Sequence, residues 1–428
     1  MQKLLDRHGK ALAFPLSIPY FRWILIIGFT AATVASIVAA FLMSLDFATH
    51  YRLAHPVLLF ALPLAGASIV LLYNSFGRMS AGGHSLVVED LSFGPRRVEG
   101  RMAPLIFLTT FLTHLFGGSA GREGTAVQIG AGIGHTFARF TRLSDEDRNL
   151  VLHITIAAGF SAVFGTPLAA AVFALEIVPR LRVRIEKVLP VLASAYLAHY
   201  VCGLWTIHHT VYRIGSLPEG LTLASWNWRF MGKIAIAAVI FGCCSQAFNF
   251  SLQALKSLWF RISSKNWVHP LLGGTVIIAL VYLSGTRDFL GLGVISSDHK
   301  AVTIVNAFIP GAVTNWSWFW KFLFTVITLS AGFRGGEATP LFFVGACLGA
   351  TLAGFFGLPT DLMAGLGFVA VYAAALNVPL AGAFMGAEIF GFKFLPHFLA
   401  VCFIAKYFAM SKRTLGLLQK VPFYRSKS

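Results

Sequence analysis

Gly117-Gly118-Ser119-Ala120-Gly121-Arg122-Glu123-Gly124-Thr125 is a glycine-rich run that leads into an apolar stretch beginning at Ala126. Roughly half the chain later, Gly335-Gly336-Glu337-Ala338-Thr339-Pro340 repeats its G-x-E-x-T core. Downstream of each copy lies a second shared block, Pro167-Leu168-Ala169-Ala170-Ala171 running to Glu176-Ile177 and Pro379-Leu380-Ala381-Gly382-Ala383 running to Glu388-Ile389. Between them, Ile129-Gly130-Ala131-Gly132-Ile133-Gly134 is similar to Val344-Gly345-Ala346-Cys347-Leu348-Gly349. Three blocks in the same order make the chain two related halves and direct attention to where the halves meet.

The solvent of those halves follows from composition. Hydrophobic residues make up 57% of the chain and charged residues 12%, against about 25% charged in an ordinary soluble domain. The mean hydropathy is +0.73. Trp23 to Met43 is uncharged and long enough to cross a hydrocarbon core of about 30 Å. A cleaved signal peptide is the alternative, but this run exceeds an h-region and Ser44-Leu45-Asp46 supplies no small-residue cleavage site. Further apolar segments fall near 55–75, 102–117, 124–140, 151–178, 187–206, 230–260, 268–284, 290–310, 318–333, 339–356, 362–375, 378–392 and 394–410. Several are too short to span alone, and Gly117-Gly118, Gly165-Thr166-Pro167, Gly335-Gly336 and Val378-Pro379 interrupt others. Such breaks fit tilted, discontinuous helices whose exposed backbone is covered by protein or lines a wet cavity. An odd number of crossings per half inverts the second copy and brings a broken helix from each half to one axis; the sequence match leaves parallel and inverted orientations open.

The net charge of +17 raises nucleic acid as a partner, but the basic residues sit between apolar segments and not on a soluble face. Arg180, Arg182, Arg184 and Lys187, and Lys412, Arg413, Lys420, Arg425 and Lys427, read as cytoplasmic loop and tail, and Lys3, Arg7 and Lys10 place the N-terminus on the same side. A bacterial inner membrane is the expected location. Cys202, Cys243, Cys244, Cys347 and Cys402 lie in apolar surroundings without metal-ligand spacing and read as small buried hydrophobes. The His208-His209 pair falls in a loop-like stretch and reads as exposed and not metal-bound. No metal or cofactor is expected. An intramembrane enzyme would need a Ser/His, paired-Asp or His-x-x-Glu-His constellation, and none is present.

A glycine-rich loop entering a helix presents free N–H groups and partial positive charge, which suit an anion. A carboxylate at such an end occupies that place when ionised and leaves it when protonated. Glu123 is therefore a candidate gate and proton carrier, with a dipole-satisfying residue paired to Arg122 as the plainer reading. Glu337 and Thr339 form the partner end, the hydroxyl preceding Pro340 at the first helical turn; an ordinary loop carboxylate and an N-cap are the plainer reading there. Glu176 and Glu388 end the repeated Pro-Leu-Ala helices and read as structural carboxylates satisfied by neighbouring Arg or backbone groups. Some of the forty Phe residues have ring edges that suit an anion path, though sequence does not select them.

Gly118-Ser119-Ala120-Gly121-Arg122-Glu123-Gly124 resembles the G-x-x-G-R-E-G motif of the CLC chloride channels and transporters, and with the Pro-Leu-Ala helix at 167–177 the likeness runs from about residue 20 to the end. The resemblance implies an all-α polytopic membrane protein of CLC type, two inverted-topology halves of broken and tilted helices, and a homodimer in the lipid bilayer with one pore per subunit. It implies a cytoplasmic tail over 1–20, a transmembrane domain over 21–411 with halves at about 21–206 and 230–411, and a short helix and basic tail over 412–428 without the paired nucleotide-binding domain of many eukaryotic members. Glu123 matches the gating glutamate. Chloride members carry Pro after G-R-E-G and G-x-F-x-P in the second half. Here Thr125 and Gly336-Glu337-Ala338-Thr339-Pro340 stand instead and look like the fluoride-transporting CLC-F branch.

On that likeness the anion is contacted by His84, Ser85, Arg122, Gly124, Thr125, Ala338 and Thr339, with Glu337 on the proton or fluoride path. His84 departs from the serine, Met or Asn of its relatives in Gly83-His84-Ser85-Leu86-Val87. Ile177 takes the place of the internal proton-accepting glutamate, and Leu415 falls where the family has a central tyrosine. Fluoride/proton antiport is the first expectation, with chloride transport or a passive chloride channel as the alternative.

Overall fold

The architecture comes from a computed structural model that describes residues 18–93, 98–178, 185–215, 228–296, 298 and 300–409. The basic residues at 180–184, at 412–427 and before residue 11, and Leu415, lie outside the described residues. The expected all-helical, polytopic fold is present. Six helical segments are long and apolar enough to cross a membrane, and among the described residues there is no strand, only an isolated antiparallel bridge between Gly121 and Gly336.

The first half contains α1 (Ile18–Ala54), α2 (Leu62–Phe76), α3 (Gly83–Phe93), α4 (Met102–Leu115), α5 (Glu123–Phe140), α6 (Asp145–Phe164), α7 (Pro167–Glu176) and α8 (Ile185–Leu204). The second contains α9 (Trp228–Ile262), α10 (Val268–Ser284), α11 (Ser317–Ser330), α12 (Ala338–Phe356), α13 (Thr360–Leu376), α14 (Pro379–Phe390) and α15 (Leu395–Ala409). The apolar stretch at 151–178 divides because Gly165 takes a left-handed conformation (φ 74°) that ends α6, and Pro167 then starts α7. The second half breaks the same way, with Asn377 at φ 61° ending α13 and Pro379 starting α14. Among the described residues the stretch at 290–310 contains no α-helix, only turns and a 3-10 turn at Asn306–Phe308. Its chain reverses at Gly291 and Gly293, both at positive φ, and the buried Lys321 ammonium donates to the carbonyls of Phe289 (3.1 Å) and Gly291 (2.7 Å).

Broken helices leave N–H groups that no lipid can satisfy. Each half supplies the acceptor for the other. Glu176, at the end of α7, accepts from Leu380 N (3.0 Å) and Ala381 N (2.7 Å) at the start of α14. Glu388 on α14 accepts from Leu168 N (2.9 Å) and Ala169 N (2.7 Å) at the start of α7. The repeated Pro-Leu-Ala helices therefore cap one another reciprocally, as a local two-fold relation between halves requires, and the structural reading of both glutamates holds with backbone groups as partners. Large hydrophobic side chains such as Phe21, Ile24, Leu25 and Phe29 of α1 face outward, as a lipid environment permits.

Glu388→Ala removes both acceptors from the start of α7 and is expected to destabilise the protein by about 1–3 kcal/mol, the cost of orphaning buried donors. Unfolding in mild detergent measures this; an unchanged midpoint would show that the reciprocal caps do not hold the halves together.

Candidate functional site

The two glycine-rich loops meet at the centre of the molecule. Gly121 N donates to Gly336 O (2.5 Å) and Gly336 N to Gly121 O (2.7 Å). Such an approach has no room for side chains: a Cβ on Gly336 would stand 2.7 Å from the nitrogen of Gly124. The first loop is pinned from several sides. Ser119 N donates to Thr328 Oγ1 (3.1 Å) and the Ser119 hydroxyl pairs with that of Thr325 (2.9 Å), both on α11. The buried ring of His114 sets Nδ1 at 2.8 Å from Thr110 O and Nε2 at 3.1 Å from Ala120 O.

This clamp puts the start of α5 against the start of α12. Glu123 is almost fully buried, and its Oε2 accepts from Arg122 N (3.1 Å) and from Thr339 N (3.0 Å). Its Oε1 accepts a short hydrogen bond from the Thr339 hydroxyl, and the Arg122 Nε lies 3.7 Å from the same oxygen. A carboxylate from one half thus occupies the donors at the N-terminal end of a helix from the other half. Two of those donors are the hydroxyl and N–H expected to serve an anion.

Glu123 also borders a cavity of about 280 Å³, together with His84, Ser85, Gly124, Ala338 and Glu337. Gln128, Lys256, Arg334 and Tyr372 line it too. His84 enters from the first turn of α3, which a buried ion pair between Asp90 and Arg148 fastens to α6. Glu337 is half-buried, and among the described residues nothing hydrogen-bonds its carboxylate; Lys256 acts on it through charge alone. Three predicted contacts do not line the cavity, Thr339 among them because its N–H and hydroxyl meet Glu123. Thr125 is buried with its hydroxyl paired to that of Thr110 on α4 (2.9 Å), and Arg122 stands beside Glu123 without lining the cavity. Ile177 is buried at the end of α7.

The sequence reading missed the polar stripe of α9. Asn249, Gln253 and Lys256 all line the cavity, and their spacing along one face of an apolar helix was the available signal. Tyr372 gave no such signal, since its neighbours in sequence are all apolar. His208 is exposed, as expected. His209 is half-buried, and burial, followed by the nearby Arg122 charge, pulls its imidazole down to about 4. Among the described residues no His/Cys/Asp/Glu group could hold a metal ion.

Gly336→Ala drives a methyl group into the Gly124 backbone and is expected to cost about 1–3 kcal/mol of stability, as overpacking does. The unfolding midpoint should fall further than for Gly354→Ala, where a Cβ meets nothing within 4 Å; equal effects would contradict the close loop pairing.

Comparisons with known proteins agree with this fold. The voltage gated chloride channel family profile matches residues 65–410. A "Chloride/fluoride channel protein" of Pseudomonas syringae pv. tomato is 37% identical over 94% of this chain and 88% of its own length. The "H(+)/Cl(-) exchange transporter ClcA" of Klebsiella pneumoniae is 27% identical over 68% of this chain and 61% of its own length. The crystal structure of a CLC-type fluoride/proton antiporter superposes with a TM-score of 0.84 at 30% identity, covering 94% of this chain and 98% of that one. A glutamate shared between two helix ends at the meeting point of a repeated membrane fold, and a family match that spans most of the chain, place this protein in the voltage gated chloride channel (CLC) family.

Proposed function

We propose that this protein exchanges fluoride for protons, with Glu123 as both gate and proton carrier. The observation that carries the reading is the pair of bonds from Thr339 N–H and hydroxyl to the Glu123 carboxylate. These donors suit a small anion, so carboxylate and anion compete for one place. Protonation neutralises the carboxylate and weakens its hold, since bonds to a charged acceptor are roughly twice as strong as neutral ones. A proton bound to Glu123 and an anion bound at Thr339 are thereby linked events.

Fluoride is small and strongly hydrated, and replacing its water calls for hydrogen-bond donors more than for a wide apolar chamber. Thr339 and His84 supply such donors, and the similarity to a chloride/fluoride channel protein and to a fluoride/proton antiporter supports the same choice. Glu337 faces the cavity, accepts no hydrogen bond among the described residues, and serves as the second carboxyl on the proton route. Chloride exchange is the second reading, supported by the weaker similarity to chloride exchange transporters.

Purified protein in liposomes, read with fluoride and chloride electrodes and a pH dye, separates the two. Fluoride is expected to move uphill against an opposing proton gradient while chloride moves at least about ten-fold more slowly, a preference worth about 1.4 kcal/mol. Equal fluxes without proton movement would defeat the proposal. Glu123→Gln is expected to abolish proton movement while passive anion flux persists, because an amide does not carry the proton; retained coupling would remove Glu123 from that role.

A further inference from the structure

Tyr372 on α13 is fully buried, and among the described residues its hydroxyl has no hydrogen-bond partner. Removing a hydroxyl from water without a partner costs on the order of 1–3 kcal/mol, and a phenylalanine at the same place would avoid that cost. The surroundings hold the ring in place. It packs 4.7 Å from the Phe342 ring of α12, which stacks at 4.2 Å on Phe368 of α13. Helix α9 fastens the backbone on either side of it, with the Ser245 hydroxyl donating to Val371 O and the Asn249 amide to Ala375 O, both at 2.9 Å. The orphaned group is therefore the polar end of a rigidly packed ring, and that ring lines the same cavity as Glu123, Glu337 and His84.

We propose that Tyr372 is a ligand of the transported anion, its O–H donating to a small inorganic anion that takes the place of the Glu123 carboxylate at Thr339. This rests on the anion reading of the Glu123 site and adds a donor from a third helix. The phenol keeps its proton throughout and donates a hydrogen bond only; Glu123 carries the exchanged proton. The hydroxyl that lacks a partner while Glu123 occupies the Thr339 donors gains one when the anion binds, so its burial cost is offset only in the anion-bound state. That difference makes the hydroxyl a source of affinity and not of fold stability.

Tyr372→Phe tests this with two readouts that a structural role would move together. Thermal unfolding of the full-length protein in gluconate, without a transported halide, should match or exceed wild type, because the substitution removes an unpartnered hydroxyl. In liposomes the half-saturating fluoride concentration should rise about ten-fold, as expected for losing one hydrogen bond to a charged ligand, while maximal rate and protons per anion stay within about two-fold. Stabilisation of the detergent-solubilised protein by sodium fluoride should shrink in parallel. A half-saturating concentration within about two-fold of wild type overturns the assignment, and so does a lower melting temperature in gluconate, which would mean that the hydroxyl bonds to protein. The same measurements with chloride keep the two hypotheses apart: a wild-type protein that prefers chloride defeats the fluoride reading, while the Y372F shift in half-saturating chloride still decides the role of the tyrosine.

Discussion

Backbone N–H groups at broken helix ends, withdrawn from water, must find acceptors inside the protein, and the halves of this chain depend on how that demand is met. In all three described cases the acceptor is a glutamate from the opposite half: Glu176 for α14, Glu388 for α7 and Glu123 for α12. The bonds differ little in length. Their settings differ more. Glu176 and Glu388 do not border the central cavity, whereas Glu123 does. One solution thus serves as a joint away from the cavity and, on the proposed reading, as an exchangeable contact where a cavity admits a competitor.

The two-fold relation that the repeat predicts is kept by the joints and broken at the gate. In a symmetric arrangement Glu337 would reach Thr125 as Glu123 reaches Thr339. Instead the Thr125 hydroxyl is taken by Thr110, and the Glu337 carboxylate is left facing the cavity near Lys256. The asymmetry gives two equivalent sequence positions different chemistry. Of these two, Glu123 occupies helix-end donors, whereas among the described residues the Glu337 carboxylate accepts no hydrogen bond.

Much of this organisation was legible in the sequence, and the illegible parts share a cause. The repeated G-x-E-x-T and Pro-Leu-Ala blocks, with Gly and Pro at the breaks, identify the halves, the loops and the paired glutamates, because local backbone rules act over a few residues. The structural reading of Glu176 and Glu388 was correct, yet their partners lie in the opposite half of the chain, beyond any local pattern. Thr125 was assigned to the anion on the likeness of its G-R-E-G-T motif to the CLC-F branch; its hydroxyl pairs with that of Thr110 across the helix interface, a partner that no local pattern shows. The stretch at 290–310 reads as one more apolar segment, but Gly291 and Gly293 and the Lys321 ammonium from another element hold its start as turns. Tyr372 was invisible for the opposite reason, a polar atom at the tip of a ring whose sequence neighbours are all apolar.

Magnitudes explain why a protonatable gate suits such a site. Glu123 accepts from Arg122 N, Thr339 N and the Thr339 hydroxyl, and bonds to a charged acceptor are worth about 1.5–3 kcal/mol each. An anion displacing an ionised carboxylate from Thr339 must replace most of that energy and its own hydration, so an unassisted exchange is slow. Neutralising the carboxyl weakens each of those bonds by roughly half, enough to move the balance by about two to three powers of ten at about 1.4 kcal/mol per decade. The same argument limits what the site can accept. A large, weakly hydrated anion gains little from compact donors, whereas in the proposed bound state fluoride exchanges water for Thr339, His84 and Tyr372. In the proposed cycle, coupling and selectivity arise from one source, the competition of carboxylate and anion for donors that the helix break exposes.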